Sequence, residues 1–396
     1  MRKTFILTSF VLLVYVIIEL VSYMGLTYLN YKYGMTYRAA DSISDKHRGI
    51  LSRLLEGESN YIEFDPTLGW TNKANGEKKS ACSSRTMKSN SSGIRSDREY
   101  DLVPPADVIR IAAFGDSFTH CEDVENNETW EANMESLNKG LEVLNFGVAG
   151  YGLDQAYLRY LKDGLKYKPD IVLIGFMTED ILRHPNNFRP FVNRTTHLPL
   201  SKPRYLIKDD GLVLMPNPIS KLEDYRILLD NTPAFLNNLG ANDYYYSNSY
   251  KSSPFDVSPT VRLIKLAAAE IKKFIVTYTN SGNGYNNQKS ESYIITLRIF
   301  DAFYNEAIKN NSIPIILIFP SHDDIFRYKN YNTKIYSPLL TYFDSTGYKY
   351  IDLTDVLSEN EEDKAWNDKC GHYSPYENRV AAEYILDYLR KNSMIK

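Results

Sequence analysis

Cysteine is scarce in this chain: Cys82, Cys121 and Cys370 are the only three. Three thiols build neither a dense disulfide framework nor a ligand-spaced metal site. Outside the cytoplasm their natural arithmetic is one disulfide and one free thiol. Basic excess is also missing. The 46 Lys and Arg face 49 Asp and Glu, for a formal charge of -3, so no cationic footprint for nucleic acid is present. No glycine-rich loop ending in lysine occurs, which removes nucleotide phosphate chemistry and leaves no cofactor implied. His322 and Asp323 stand together without a ligand-spaced partner group, so no metal is expected there. Apolar residues are not lacking. At 43% of 396 residues they support one large core with accessory segments and exclude wholesale disorder. The 32 tyrosines are a compositional bias that carries no mechanism.

The N-terminus holds the longest apolar run. Arg2 and Lys3 precede Phe5–Leu29, broken chiefly by Thr, Ser, Gly and the single acid Glu19. About 25 helical residues span roughly 37 Å, enough to cross a bilayer with some tilt. A cleaved signal peptide has a shorter apolar core and a small-residue cleavage site. Here the run continues through Tyr23, Tyr28 and Tyr31, which suit an interfacial aromatic belt. The expectation is an uncleaved signal anchor over residues 1–33, basic end inside, with the rest at a bacterial cell surface or in a periplasm. Glu19 either marks a helix partner or is tolerated by protonation or snorkelling.

Residues 34–105 read as a lead-in: a mixed-charge helix over Ala39–Glu56, a polar stretch Asn72–Ser96 without a period, then Pro104 and Pro105. From 106 to 396 strands and helices alternate. Five short apolar runs read as buried strands: Val108–Phe114, Glu142–Phe146, Asp170–Phe176, Ile313–Phe319 and Tyr348–Leu353. Helical patterns cover Thr129–Leu137, Asp154–Tyr167, Ser292–Asn310, Ser337–Phe343 and Pro375–Arg390. Ser374, Pro375 and Glu377 form a capping box at the start of the last one. The pattern predicts an α/β fold, a three-layer α/β/α sandwich on a mainly parallel sheet of about five strands, with its site beyond the strands' carboxyl ends. An insertion over 184–291 lies outside that minimal pattern. It holds an amphipathic helix, Pro259–Thr279, and a loose loop, Asn280–Ser290, and is either a lid or an extra structural layer.

The stretch Ile109–Phe114 ends in Gly115-Asp116-Ser117-Phe118, so a serine stands at the end of a buried strand and before a helix. That placement suits a nucleophile, held rigidly and close to backbone N–H donors. Three further blocks follow strands: Asn145-Phe146-Gly147-Val148-Ala149-Gly150, Met177-Thr178-Glu179-Asp180, and Asp368-Lys369-Cys370-Gly371-His372 ahead of the last helix. With Asp65–Trp70 and Asn90–Arg95 upstream, these blocks resemble the SGNH (GDSL-type) hydrolase superfamily over most of residues 60–392. The nearest likeness is to membrane-anchored members that modify surface polysaccharides.

The resemblance implies a flavodoxin-like fold and a set of roles. Ser117 takes the nucleophile position and His372 the base. Gly150 donates its N–H to the oxyanion hole together with Ser117. Asp368 would orient His372, although it lies four residues before it where the family's acid lies three or two; Asp363 or a backbone carbonyl are the alternatives. Glu179 falls where the family has its oxyanion asparagine. Either it is protonated, or Asn186 or Asn187 supplies the amide, or two backbone donors suffice. Asp116, Arg183, Asn186, Asn187, Arg189 and His322 are candidate substrate contacts, and Arg183 to Arg189 would either bind an anionic sugar or order the insertion. His120 reads as a wall of the cleft. Cys121 and Cys370 flank the nucleophile and the base, and a disulfide between them is expected.

These implications lead to acyl-ester chemistry on the outer face, with an O-acetylated or otherwise acylated glycan as substrate. Esterase and transferase share every residue named, and a transferase needs a donor delivered by a partner membrane protein. Two rivals stand: a non-catalytic glycan-binding or scaffold protein that kept the fold, and a lipid esterase or thioesterase with an apolar cleft.

Overall fold

The computed structural model describes residues 2–36, 39–209, 211–250, 253–278, 284–359 and 371–396. Five strands make one all-parallel sheet: β5 (Ile109–Phe114), β6 (Leu141–Asn145), β7 (Ile171–Met177), β10 (Ile313–Phe319) and β11 (Tyr350–Asp352), in the order β11-β10-β7-β5-β6. These are the five apolar runs of the sequence, with ends shifted by at most two residues. Their composition follows from burial on both faces. Alternate residues feed alternate layers: Ile111 and Ala113 pack with Trp130, Met134 and Ile385, whereas Ala112 and Phe114 pack with Ala156, Ile299 and Phe303.

The first of those layers is built by α4 (Trp130–Leu137) and α13 (Pro375–Lys391). The second rests on α5 (Leu153–Arg159), continued by a π turn and a 3-10 turn to Tyr167, and on α9 (Glu291–Lys309). Shorter helices complete the sandwich: α3 (Ser117–His120) after β5, then α10 (His322–Tyr331), α11 (Ser337–Thr346) and α12 (Thr354–Ser358) around the far edge. The capping box that opens α13 forms as the sequence predicts. Ser374 N donates to Glu377 at 2.8 Å, and Glu377 N donates to the Ser374 hydroxyl at 3.3 Å.

Two small hairpins lead into the sheet domain. β1 (Ile62–Asp65) pairs with β2 (Gly69–Asn72), and β3 (Glu77–Lys79) with β4 (Thr86–Lys88). The second lies in the polar stretch that showed no period. Its strands are three residues long, too short for alternation to register. The helix expected over Ala39–Glu56 precedes them as α2 (Asp45–Leu55), capped by Ser44, with a 3-10 turn over Ala39–Ser42 in place of its first residues.

The insertion contains a hairpin, β8 (Arg204–Lys208) with β9 (Gly211–Met215), and helices α6 (Arg226–Asp230), α7 (Thr232–Gly240) and α8 (Pro259–Tyr278). In the Asn280–Ser290 stretch, expected to be loose, residues 280–283 lie outside the described residues. Tyr285 is buried and donates its hydroxyl to the Thr178 carbonyl just past β7.

The N-terminal helix α1 (Arg2–Tyr33) is long and apolar enough to cross a membrane: over Lys3–Tyr33 its best window has a mean hydropathy of 2.5. Glu19 has a helix partner. Its carboxylate accepts from the Ser258 hydroxyl at 2.7 Å and from Thr260 N at 3.2 Å, which satisfies one of the open N–H groups of the first turn of α8. One turn further, the Ser22 and Thr260 hydroxyls meet at 3.0 Å.

Candidate active site

β5 ends against Gly115, where packing leaves no room for a side chain. A Cβ there would stand 2.0 Å from Thr119 Oγ1 and 3.1 Å from the Gly175 carbonyl of β7. Thr119 therefore locks the short helix α3 down onto the sheet, and Ser117 is its first residue. Asp116 caps α3 by accepting from Phe118 N at 2.9 Å, while its other oxygen faces Arg183 at 3.3 Å. With both oxygens engaged and the side chain buried, Asp116 is a positioning group here and not a substrate contact. Ser117 keeps 9% of its surface exposed, and its hydroxyl makes no hydrogen bond among the described residues.

The turn after β6 brings Gly150 beside the serine's strand end. Its φ of 77° lies in the left-handed region, where glycine is unstrained, and a Cβ would meet Leu198 Cδ1 at 2.5 Å. Neither Ser117 N–H nor Gly150 N–H has an acceptor among the described residues. Two unpaired donors flanking a serine are the arrangement an oxyanion hole requires.

His372 precedes α13 and packs its ring on Phe118, with centroids 5.4 Å apart. Its Nδ1 lies 2.8 Å from Asp123 Oδ2. Asp123 is held in turn by the Ser80 hydroxyl on its other oxygen, and its backbone takes a φ of 71°. The carboxylate on the imidazole thus comes from the loop after the nucleophile, a residue the sequence reading did not name. Asp368 and Asp363 lie outside the described residues. Ser117 and His372 share the same corner of the fold, without a hydrogen bond between them in this structure.

Beyond β7 several assignments change. Glu179 keeps an exposed edge, and desolvation first, with Asp324, Asp323 and Asp116, raises its carboxyl above the ordinary range against the opposing charge of Arg183. Asn186 and Asn187 are buried in the insertion, not at the cleft. The Asn186 amide donates to the Phe188 carbonyl and to Asp243, each at 2.8 Å, and the Asn187 amide donates to the Leu239 carbonyl at 2.9 Å. They order the insertion and supply no oxyanion amide. Arg183 is neutralised by Asp180 at 2.6 Å and Asp116 at 3.3 Å, and it also donates to the Tyr151 carbonyl. Arg189 is buried, and its Nε would lie 3.9 Å from a Cβ on Gly150. Burial, and then the charge of Arg183, pull its pKa down to about 9.

His120 is not a cleft wall. It is fully buried with its Nε2 at 2.6 Å from the Tyr61 hydroxyl, and burial followed by Arg95 lowers its pKa to about 3. Cys121 is also buried, its thiol 3.3 Å from Glu131 Oε2; Cys370 lies outside the described residues, so their expected pairing has one described partner. His322 is exposed at the start of α10. No cluster of three metal-ligating side chains occurs among the described residues.

Residues 111–199 match the family model of the GDSL-like lipase/acylhydrolases, a segment that carries Ser117, Gly150 and Arg189. This segment is similar to the GDSL-like lipase/acylhydrolases, whose class of chemistry is ester hydrolysis. No curated protein matches this chain in sequence. Solved structures similar to it include a lipolytic protein of the G-D-S-L family from Desulfitobacterium hafniense, at 14% identity over 70% of this chain and 97% of that one, with a TM-score of 0.36. An acetylxylan esterase from Geobacillus stearothermophilus aligns at 11% identity over 72% and 93%, TM-score 0.35. The esterase EstA from Pseudoalteromonas sp. aligns at 11% over 72% and 99%, TM-score 0.34. At such scores nothing about substrate passes from those proteins to this one.

Proposed function

We propose that this chain is a membrane-anchored, extracytoplasmic serine esterase or acyltransferase acting on acyl esters, chiefly O-acetyl, of a surface glycan. The observation that carries the reading is the Asp123–His372 pair at 2.8 Å, next to a serine flanked by two unpaired backbone donors. Asp123 accepts from Nδ1–H and leaves the Nε2 lone pair free. Ser117 Oγ attacks the ester carbonyl and its proton passes to Nε2. The Asp123 carboxylate stabilises the imidazolium, and the Ser117 and Gly150 N–H groups receive the oxyanion. Collapse expels the sugar alkoxide, which takes the proton back from His372. Water then hydrolyses the acyl-enzyme, or a second sugar hydroxyl accepts the acyl group. The Ser117–His372 hydrogen bond that this route needs forms with substrate, since catalytic hydrogen bonds are commonly long in free enzymes.

The length and apolar composition of α1 support the anchoring, and its basic end would stay inside under the positive-inside rule.

The test is fluorophosphonate labelling of the full chain in nanodiscs, beside Ser117→Ala. Labelling that disappears in the variant establishes an activated serine, and acetylated glycans then read the substrate. A folded parent that does not label has lost the chemistry of its family, and the glycan-binding reading takes its place, with Glu179 as the leading reason.

A further inference from the structure

Two arginines stand behind the turn that carries Gly150, and only one of them makes an ion pair with the acids nearby. Arg183 has Asp180 at 2.6 Å and Asp116 at 3.3 Å. The Arg189 side chain makes no hydrogen bond and no ion pair among the described residues. It keeps only 8% of its surface exposed, and its Nε is buried without a partner. The two terminal nitrogens are the ones that reach solvent, and Nε lies 3.9 Å from the Cβ position of Gly150. Asp180 and Asp116 favour its charge from beyond ion-pair distance; a guanidinium so far desolvated without a directly paired carboxylate is costly, and its planar edge is shaped to grip one with two parallel bonds. The insertion does not use it either: Asn186, Asn187, Arg194 and Arg204 carry the ordering contacts there.

We propose that Arg189 forms a carboxylate-binding subsite beside the oxyanion hole, so that the acylated glycan is an acidic one whose uronate pairs with Arg189 as its ester reaches Ser117. This rests on the esterase reading above and names its substrate class. Arg189 is then a specificity-determining contact. A neutral ester reaches Ser117 without it, whereas an acidic sugar gains a charge-assisted pair in a site that excludes water.

The experiment uses the full chain in nanodiscs with Arg189→Gln and Arg189→Lys, after melting curves show both variants folded. Binding is read first and without turnover: calorimetric titration of oligogalacturonate, and of neutral xylo-oligosaccharide, into protein carrying Ser117→Ala. Arg189→Gln is expected to weaken oligogalacturonate binding roughly tenfold to a hundredfold, in keeping with one charged hydrogen-bonded pair, with partial rescue by Lys and no change for the neutral sugar. Turnover is read second. KM for acetylated oligogalacturonate should rise by the same factor, and kcat/KM for 4-nitrophenyl acetate should fall by far less. Equal affinity of parent and Arg189→Gln for oligogalacturonate overturns the subsite. So does an equal loss of kcat on 4-nitrophenyl acetate, which would make Arg189 an oxyanion donor instead. Arg189-dependent binding in a parent that cleaves no ester overturns the esterase reading and leaves the subsite standing.

Discussion

Asp123 sits six residues after the nucleophile, in a left-handed turn, with Ser80 on one oxygen and His372 on the other. That clamp fixes both the tautomer and the tilt of the imidazole, so its loss is a loss of orientation more than of binding. Asp123→Asn keeps the shape but presents an amide where an acceptor is needed, which turns the ring or flips its tautomer. Turnover of 4-nitrophenyl acetate is expected to fall by roughly 10²–10⁴-fold with KM little changed. Asp368→Asn should change kcat little, because Asp123 already occupies Nδ1. If the Asp368 variant loses activity and the Asp123 variant keeps it, the orienting acid is the one before the histidine after all.

At the scale of elements, the nucleophile's helix is wedged between groups that stay uncharged. Glu131 on α4 lies buried against Cys121, and burial pushes its pKa up to about 8. An unfolded glutamate ionises near about 4.3, so between those values the folded chain binds more protons and stability falls as pH rises. His120 acts in the opposite sense. Burial, with Arg95 second, holds it neutral down to about 3, whereas the unfolded ring protonates near about 6.5, so stability falls as pH drops through that window. Glu131→Gln removes the alkaline limb alone. Its melting curve should match the parent near the unfolded value and lie several degrees higher near pH 8, as thermal melts across the range would read. Parallel curves would mean that Glu131 is ionised in the folded state. The same elements tell what was legible beforehand. Ile313–Phe319 and its fellow strands are buried on both faces, so they read as continuous apolar runs, and Ser117 and His372 stand at strand and helix ends that those runs define. Asp123 was not legible, because its role depends on a turn that brings a nearby loop residue against a histidine 249 positions away. Asn186 and Asn187 were misjudged for a related reason. Polar side chains after a strand look like site residues until Asp243, far along the insertion, is seen to claim their hydrogen bonds.

For the molecule as a whole, α1 is not a tether joined to a freely hanging domain. Glu19 accepts from the first turn of α8, Ser22 meets Thr260, and Arg194 donates to the carbonyls of Gly34 at 2.7 Å and Thr36 at 3.0 Å. Arg194 stands five residues beyond Arg189, so the segment of the insertion that carries Arg189 also holds the chain just past the end of α1. Under the proposed anchoring the site is held at a set height above the bilayer. A surface glycan would then be presented to it by geometry, while a small soluble ester would not depend on that geometry. Glu19→Leu removes the acceptor of Thr260 N–H, while Val261 and Arg262 N–H keep theirs on Ser258, whereas Glu19→Gln keeps one carbonyl acceptor. Hydrogen exchange of the Thr260 amide, measured in nanodiscs, should quicken by roughly tenfold or more in Glu19→Leu and far less in Glu19→Gln. Combined with Arg194→Ala, the Leu variant should hydrolyse 4-nitrophenyl acetate as the parent does but lose turnover on an acetylated glycan tethered to the same nanodisc. Unchanged exchange at α8 would show that the insertion does not lean on α1. Equal losses on both esters would show that the contacts hold the fold of the site and not its height.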